Sequence, residues 1–158
     1  MKVAKRCIGV VVLVTTAFSV GSFAQQKAAE QLKITTGSDL QWTKGPRPDV
    51  MISPMVGKAS EPGFYMHRQK FAAGTTVGPH THPVDEHITV LSGTFNIGQG
   101  EKLEESKAEA VKAGGLVVIP AGVPHFVITK EETITQLSGV GPNKTVYLDP
   151  KDDPAKKQ

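Results

Sequence analysis

The chain has 158 residues, room for one domain with its own core, and carries 18 Lys and Arg against 15 Asp and Glu, a formal net charge of +3. Three of those cations (Lys2, Lys5, Arg6) and none of the acids fall in residues 1–24, so the rest of the chain is balanced at fifteen of each. A neutral chain gives no electrostatic basis for binding nucleic acid or an anionic membrane, and the single cysteine, Cys7, lies in that same N-terminal stretch, so disulfide and thiol chemistry are excluded from the remainder.

The beginning reads as a targeting segment. Lys2, Lys5 and Arg6 precede an apolar run from Ile8 to Ala17, and Ser22-Phe23-Ala24 has the small-x-small pattern of a cleavage site. Residues 1–24 are therefore expected to be a cleavable signal peptide that delivers a periplasmic or secreted protein. The apolar run is short for a bilayer span, so a retained membrane anchor is the lesser expectation. Residues 25–37 read as a mobile leader, 38–150 as the folded domain and 151–158 as a disordered tail.

From Leu40 the punctuation is dense: Gly45-Pro46, Arg47-Pro48, Ser53-Pro54 and Glu61-Pro62-Gly63. Between and beyond such breaks lie short β-type runs at Leu40–Thr43, Val50–Ile52, Phe64–Phe71, His87–Leu91, Thr94–Ile97, Leu116–Ile119, Phe126–Thr129, Thr133–Leu137 and Thr145–Leu148. Many short strands separated by Gly and Pro turns predict an all-β sandwich or barrel. One stretch dissents. Glu101 to Ala113, rich in Glu, Lys and Ala, has helical propensity; a helical turn near Leu103–Ser106 followed by an edge strand near Ala108–Val111 reconciles it with its β surroundings.

Two stretches carry chemistry. In Gly74 to Gly93, His80 and His82 are two apart and Glu86 follows at the same parity, so alternation along a strand and the bend feeding it brings all three to one side. Two imidazoles and a carboxylate on one face are costly to bury without compensation, and a bound metal is the simplest compensation. A fourth candidate, His125, lies in the turn-rich stretch from Gly114 to Thr129. Three nitrogens and one oxygen suit one divalent transition metal ion of the Mn, Fe, Ni, Cu or Zn group. The same alternation points Ile88, Val90 and Val127 inward around the candidate site and His87 outward. On Phe64–Phe71 one face carries Tyr65, His67, Gln69 and Phe71, the other Phe64, Met66, Arg68 and Lys70; the first face places His67 and Gln69 in the pocket, the second leaves them outside it.

The spacings G-x5-H-x-H-x3-E-x6-G (Gly74, His80, His82, Glu86, Gly93) and G-x5-P-x-G-x2-H (Gly114, Pro120, Gly122, His125), about 20 residues apart, resemble the two signature motifs of the cupin superfamily. The Trp42-x2-Gly45-Pro46 opening and the closing Asp149-Pro150-x-Asp152-Asp153-Pro154 more loosely resemble small exported single-domain bacterial cupins. One position departs: where the family's second motif usually closes with Asn, this chain has Thr129. The resemblance implies a double-stranded β-helix, or jelly-roll, barrel. It also implies a metal centre at His80, His82, Glu86 and His125, and an association into homodimers through edge strands. Four protein ligands on a six-coordinate metal leave two positions open, and the chemistries implied are dioxygenation, oxalate-type oxidation or decarboxylation, isomerisation and superoxide dismutation. A dioxygenase-like oxidoreductase acting on a small molecule heads these expectations. A non-catalytic metal-dependent module that binds or senses a small ligand and a purely structural metal clip are the alternatives.

Overall fold

Alternation of buried and exposed side chains governs the architecture. In the computed structural model residues 31–156 are described; the expected signal peptide, residues 25–30 of the leader and the last two residues lie outside them. Among the described residues eleven strands form two antiparallel sheets. The first holds six strands in the order β1 (Thr43–Lys44), β2 (Val50–Val56), β3 (Gly63–Phe71), β10 (Thr133–Gly141), β5 (Glu86–Ser92) and β8 (Leu116–Ile119). The second holds five, in the order β11 (Val146–Tyr147), β4 (Thr76–Thr81), β9 (His125–Ile128), β6 (Thr94–Gln99) and β7 (Glu109–Lys112). This is the all-β jelly roll that the motifs imply.

From β3 onward nearly every connection carries the chain from one sheet to the other, the β6–β7 hairpin being the exception. The corners need glycine. Gly93, between β5 and β6, has φ of 73°, and a Cβ there would sit 2.5 Å from the Glu132 carbonyl oxygen. On β5 Glu86, Ile88 and Val90 are buried while His87 is exposed, and on β10 Thr133, Thr135, Leu137 and Gly139 alternate with half-buried or exposed neighbours. The inward faces of both sheets supply the core, which includes Tyr65, Phe71, Val90, Phe95 and Leu137, with the Phe71 and Phe95 rings 5.6 Å apart and tilted by 58°. Thr129, where Asn is usual, donates its hydroxyl to the Ala72 carbonyl at 2.9 Å and so ties β9 to the turn before β4.

Three expectations are corrected. The break expected at Ser53-Pro54 is absent, because β2 pairs little with β1 and the proline, which has no N–H to donate, is accommodated just before a bulge at Pro54/Val56. The Leu40–Thr43 strand shrinks to Thr43–Lys44. Residues 151–156 are not a frayed tail but belong to two 3-10 turns, Pro150–Asp152 and Pro154–Lys156; the Asp149 carboxylate caps the first, accepting from the Lys151 N–H at 2.9 Å, and the Asp152 carboxylate occupies the space beside Gly78 that a side chain would fill. In the dissenting stretch a 3-10 turn at Glu105–Lys107 precedes β7, an edge strand, so pairing with β6 overrides helical propensity. No helix among the described residues is long and apolar enough to cross a membrane.

Packing is close where Gly98 of β6 faces Phe126 of β9: the fully buried phenyl ring occupies the space a Cβ would take. Gly98→Ala is therefore expected to cost about 1–3 kcal/mol by overpacking and Phe126→Ala about 3–5 kcal/mol. The double variant is expected to cost clearly less than their sum, since truncating the ring vacates the contested space; a urea-unfolding double-mutant cycle checks this.

Candidate metal centre

His80 is the fifth residue of β4 and pairs across the sheet with His125, the first residue of β9, on one side and with Tyr147 of β11 on the other. Pro79, at a bulge in β4, lacks the N–H that a regular ladder would use, and the register shifts between Val77 and His80. His82 lies in the turn beyond β4. Glu86 opens β5 in the opposite sheet, so the first motif is not one strand with its bend: residues 82–85 carry the chain across the barrel, and parity alone does not bring Glu86 to the histidines. Two hydrogen bonds hold this turn against the second motif's turn. The Gly122 N–H donates to the His82 carbonyl at 2.8 Å, and the Ala121 N–H donates to Asp85 Oδ1 at 2.8 Å. Gly122 has φ of 76°, which favours glycine and turns the chain toward His125.

The three imidazoles meet. Ring centroids are 4.1 Å apart for His80 and His125, 5.0 Å for His80 and His82, and 5.3 Å for His82 and His125, and one nitrogen from each lies within 4.8 Å of the others. Each Nδ1 lies against a backbone carbonyl: Gly78 at 2.8 Å for His80, Lys144 at 3.0 Å for His82 and Val123 at 3.0 Å for His125. A carbonyl oxygen only accepts, so each Nδ1 carries the hydrogen and each Nε2 keeps a lone pair. Glu86 Oε2 lies 3.4 Å from His82 Nε2. All four side chains line one cavity of about 410 Å³.

Burial sets the charge states. It pushes His80 down to about 3, reinforced by the repulsion a charged His125 would exert, and His82 down to about 4; His125 moves in the same direction for the same reason. Burial therefore favours the neutral form of all three histidines. Burial raises Glu86 to about 7 against the opposing hydrogen bonds from Asn143 and Tyr65, and raises the Tyr65 hydroxyl to about 12. With His82 neutral, its 3.4 Å approach to Glu86 is not an ion pair. The three Nε2 lone pairs and the ionised form of Glu86 are all acceptors, and Glu86 Oε2, 3.4 Å from His82 Nε2, donates only in its protonated form. A cation is what such a set fits, and the three histidines can hold a metal ion.

The segment after β10 completes the site, and no motif announced it. Asn143 Nδ2 lies 2.8 Å from Glu86 Oε1 and 2.6 Å from the Tyr65 hydroxyl, the Lys144 carbonyl holds His82, and the Tyr147 ring lies 5.6 Å from that of His80. Of the residues expected around the site, Ile88, Val127, His67 and Gln69 line the cavity, so β3 presents its Tyr65 face inward and Arg68 lies on the outer face. Val90 does not line it. It shares the inward parity but is packed into the apolar core, 1% exposed, one strand repeat beyond Ile88. His87 is exposed, as its parity requires.

The family described as Cupin domain matches residues 67–138, a segment that contains all three histidines and Glu86 and ends before Asn143. Germin-like protein 5-1 of Oryza sativa subsp. japonica is 35% identical over 65 residues, covering 40% of this chain and 29% of the relative, so the chain spans less than a third of that protein's length. The polyketide cyclase RemF from Streptomyces resistomycificus superposes with a TM-score of 0.65 at 16% identity, covering 80% of this chain and 92% of that one. Salicylate 1,2-dioxygenase from Pseudoaminobacter salicylatoxidans, solved as adducts with gentisate, superposes with a TM-score of 0.52 at 14% identity, covering 63% and 29%. The domain match supports the cupin superfamily, and the structural likenesses show its fold.

Two opposite pH dependences follow for metal-free protein. His80 and His82 have folded-state values below that of the unfolded chain, so their contribution is present above about pH 6.5 and is lost as pH falls toward 4. Glu86 is raised, so its contribution is present below about pH 4.5 and is lost as pH rises through about 7. Glu86→Gln is accordingly expected to stabilise metal-free protein at pH 8 by up to about 3 kcal/mol, with the advantage vanishing near pH 5. Chemical unfolding of both proteins after chelation, across that range, measures it.

Proposed function

We propose that this protein is a metal-dependent enzyme acting on a small molecule, with dioxygenase-like oxidoreductase chemistry at a centre formed by His80, His82, His125 and Glu86. One observation carries the proposal: three buried, neutral imidazoles, each fixed through Nδ1 to a backbone carbonyl, gather beside a carboxylate at the wall of a cavity large enough for a small ligand. In this reading the three Nε2 atoms and a carboxylate oxygen of Glu86 hold one divalent transition metal. When bound, the metal supplies Lewis-acid polarisation and, for a redox-active ion, electron transfer to or from dioxygen and substrate.

The chain's own groups do the rest. The Nδ1 bonds hold each imidazole in one tautomer and one orientation. Asn143 donates to Glu86 Oε1, which leaves Oε2 turned toward His82. Ile88, Phe95 and Val127 form an apolar wall that excludes bulk water and strengthens every electrostatic interaction inside. A structural clip would have its open positions plugged by side chains; a cavity of about 410 Å³ beside the donor atoms supports a site that admits a ligand. The fold also serves a salicylate 1,2-dioxygenase and a polyketide cyclase, which supports small-molecule chemistry in the barrel. We further propose that the protein is exported by residues 1–24 and takes its metal outside the cytoplasm, where intrinsic affinity favours Zn or a mixture over Mn or Fe.

Fe(II)-reconstituted protein is expected to consume dioxygen in the presence of at least one member of a panel of small hydroxylated aromatic and α-hydroxy carbonyl compounds. His82→Ala is expected to stay folded, lose most of its metal and lose that uptake. Unchanged metal content in the variant would contradict the ligand set, and a metal-replete wild type inert across the panel would contradict the oxidoreductase assignment. Elemental analysis of protein isolated from the periplasm is expected to find Zn or a mixture; stoichiometric Mn or Fe would overturn the metal assignment.

A further inference from the structure

One imidazole in the cavity has no part in the cluster. His67 lies on β3 in the six-stranded sheet, while His80 and His125 come from the five-stranded sheet that faces it. Its backbone is paired on both sides, with Pro54 and with Leu137, and its ring stacks on Tyr65 with centroids 5.9 Å apart and planes 19° apart, so its direction is fixed. Yet its Nε2 is buried with no hydrogen-bond partner among the described residues. Gln69, the next inward residue on the same strand, accepts from the Thr135 hydroxyl at 3.3 Å through Oε1, and its amide nitrogen makes no protein hydrogen bond among the described residues. A leucine or phenylalanine would fill the position of His67 without leaving a polar atom unmet, so the imidazole is a poor choice for packing alone.

Its surroundings specify what would meet it. Ile52, Ile88 and Leu137 line the cavity near His67 and carry no charge. Two cations line the cavity: Arg47, held by Asp49 at 3.1 Å through two hydrogen bonds and by the Thr76 carbonyl at 2.8 Å, and Lys144, an exposed residue. Burial lowers the proton affinity of His67, so the ring offers one donor and one acceptor and no positive charge. A hydroxyl or carbonyl matches that offer; a carboxylate would be buried without a counter-charge.

We propose that His67, with Gln69 beside it, is the specificity point of the cavity and takes a neutral hydroxyl or carbonyl group on a small, mostly apolar ligand whose other end meets the histidine cluster. This rests on the metal-centred reading above and adds a substrate class to it: ring-sized, two-ended and uncharged at the end remote from the metal.

Zn-loaded protein, which is redox-inert, allows the test with benzohydroxamic acids, whose hydroxamate chelates metal and whose ring reaches across the cavity. The 3- and 4-hydroxy compounds are compared by calorimetry with their 3- and 4-methyl counterparts, near-isosteres that cannot hydrogen-bond. At least one hydroxy compound is expected to bind wild type about tenfold tighter than its methyl partner, the effect of one hydrogen bond to a buried unpartnered group. In His67→Leu and His67→Phe that preference is expected to vanish or reverse, with zinc content unchanged and with thermal stability no lower than wild type. If hydroxy and methyl compounds bind wild type equally, or if the preference survives in both variants, the role of His67 is refuted while the metal centre stands. If no hydroxamate binds Zn-loaded wild type, the metal-centred reading fails and the specificity proposal falls with it.

Discussion

The site depends on three backbone carbonyls. Gly78, Lys144 and Val123 each take the Nδ1 hydrogen of one histidine, and with that hydrogen fixed the opposite nitrogen of every ring is left as a bare lone pair. Two of those carbonyls lie two residues before the histidine they hold, so each motif carries its own support. The third comes from 62 residues downstream of His82 and joins the end of the chain to the site. The hydrogen bonds from Ala121 and Gly122 to the turn of the first motif then set the two motifs at a constant spacing. The barrel brings strands together; these few polar contacts decide how the side chains point.

That arrangement is a poor one for stability in the metal-free protein. Three neutral imidazoles and a carboxyl group raised by burial occupy ground that hydrocarbon would occupy at lower cost, and His67 adds a further unmet nitrogen. The rest of the barrel offsets this. Buried threonines satisfy themselves against nearby backbone, as Thr129 does with Ala72 and Thr133 with Thr94, and the aromatic pair Phe71 and Phe95 anchors the apolar side of the cavity. Of the two buried side-chain nitrogens left unmet among the described residues, Arg68 Nε belongs to the outer face and His67 Nε2 to the cavity, where a bound partner would meet it.

Much of this was legible in the sequence, because strand parity is a strong physical signal. It placed Ile88 and Val127 inward, His87 outward and the strands β5 to β9 close to their observed limits. Parity fails where the chain leaves a strand. It set His80, His82 and Glu86 along one strand and its bend, whereas the chain crosses from one sheet to the other between His82 and Glu86, and the three meet because the sheets face each other. Parity also says nothing of depth, so Val90 shared the direction of Ile88 but packs in the core instead of the cavity wall. Asn143, the Lys144 carbonyl and Tyr147 were not legible at all. They act from a turn-rich segment beyond the motifs, one of them through its backbone, and a charged, proline-punctuated C-terminal composition reads as solvent-exposed chain when it is in fact docked beside Gly78.

The most direct test is where a metal sits. A crystal of Zn-loaded protein, with data collected on both sides of the zinc absorption edge, is expected to show one anomalous peak inside the barrel, about 2.0–2.2 Å from Nε2 of His80, His82 and His125 and from an oxygen of Glu86. A peak bound through any Nδ1, a peak that leaves His125 or Glu86 out of contact, or zinc only on the protein surface would contradict the account.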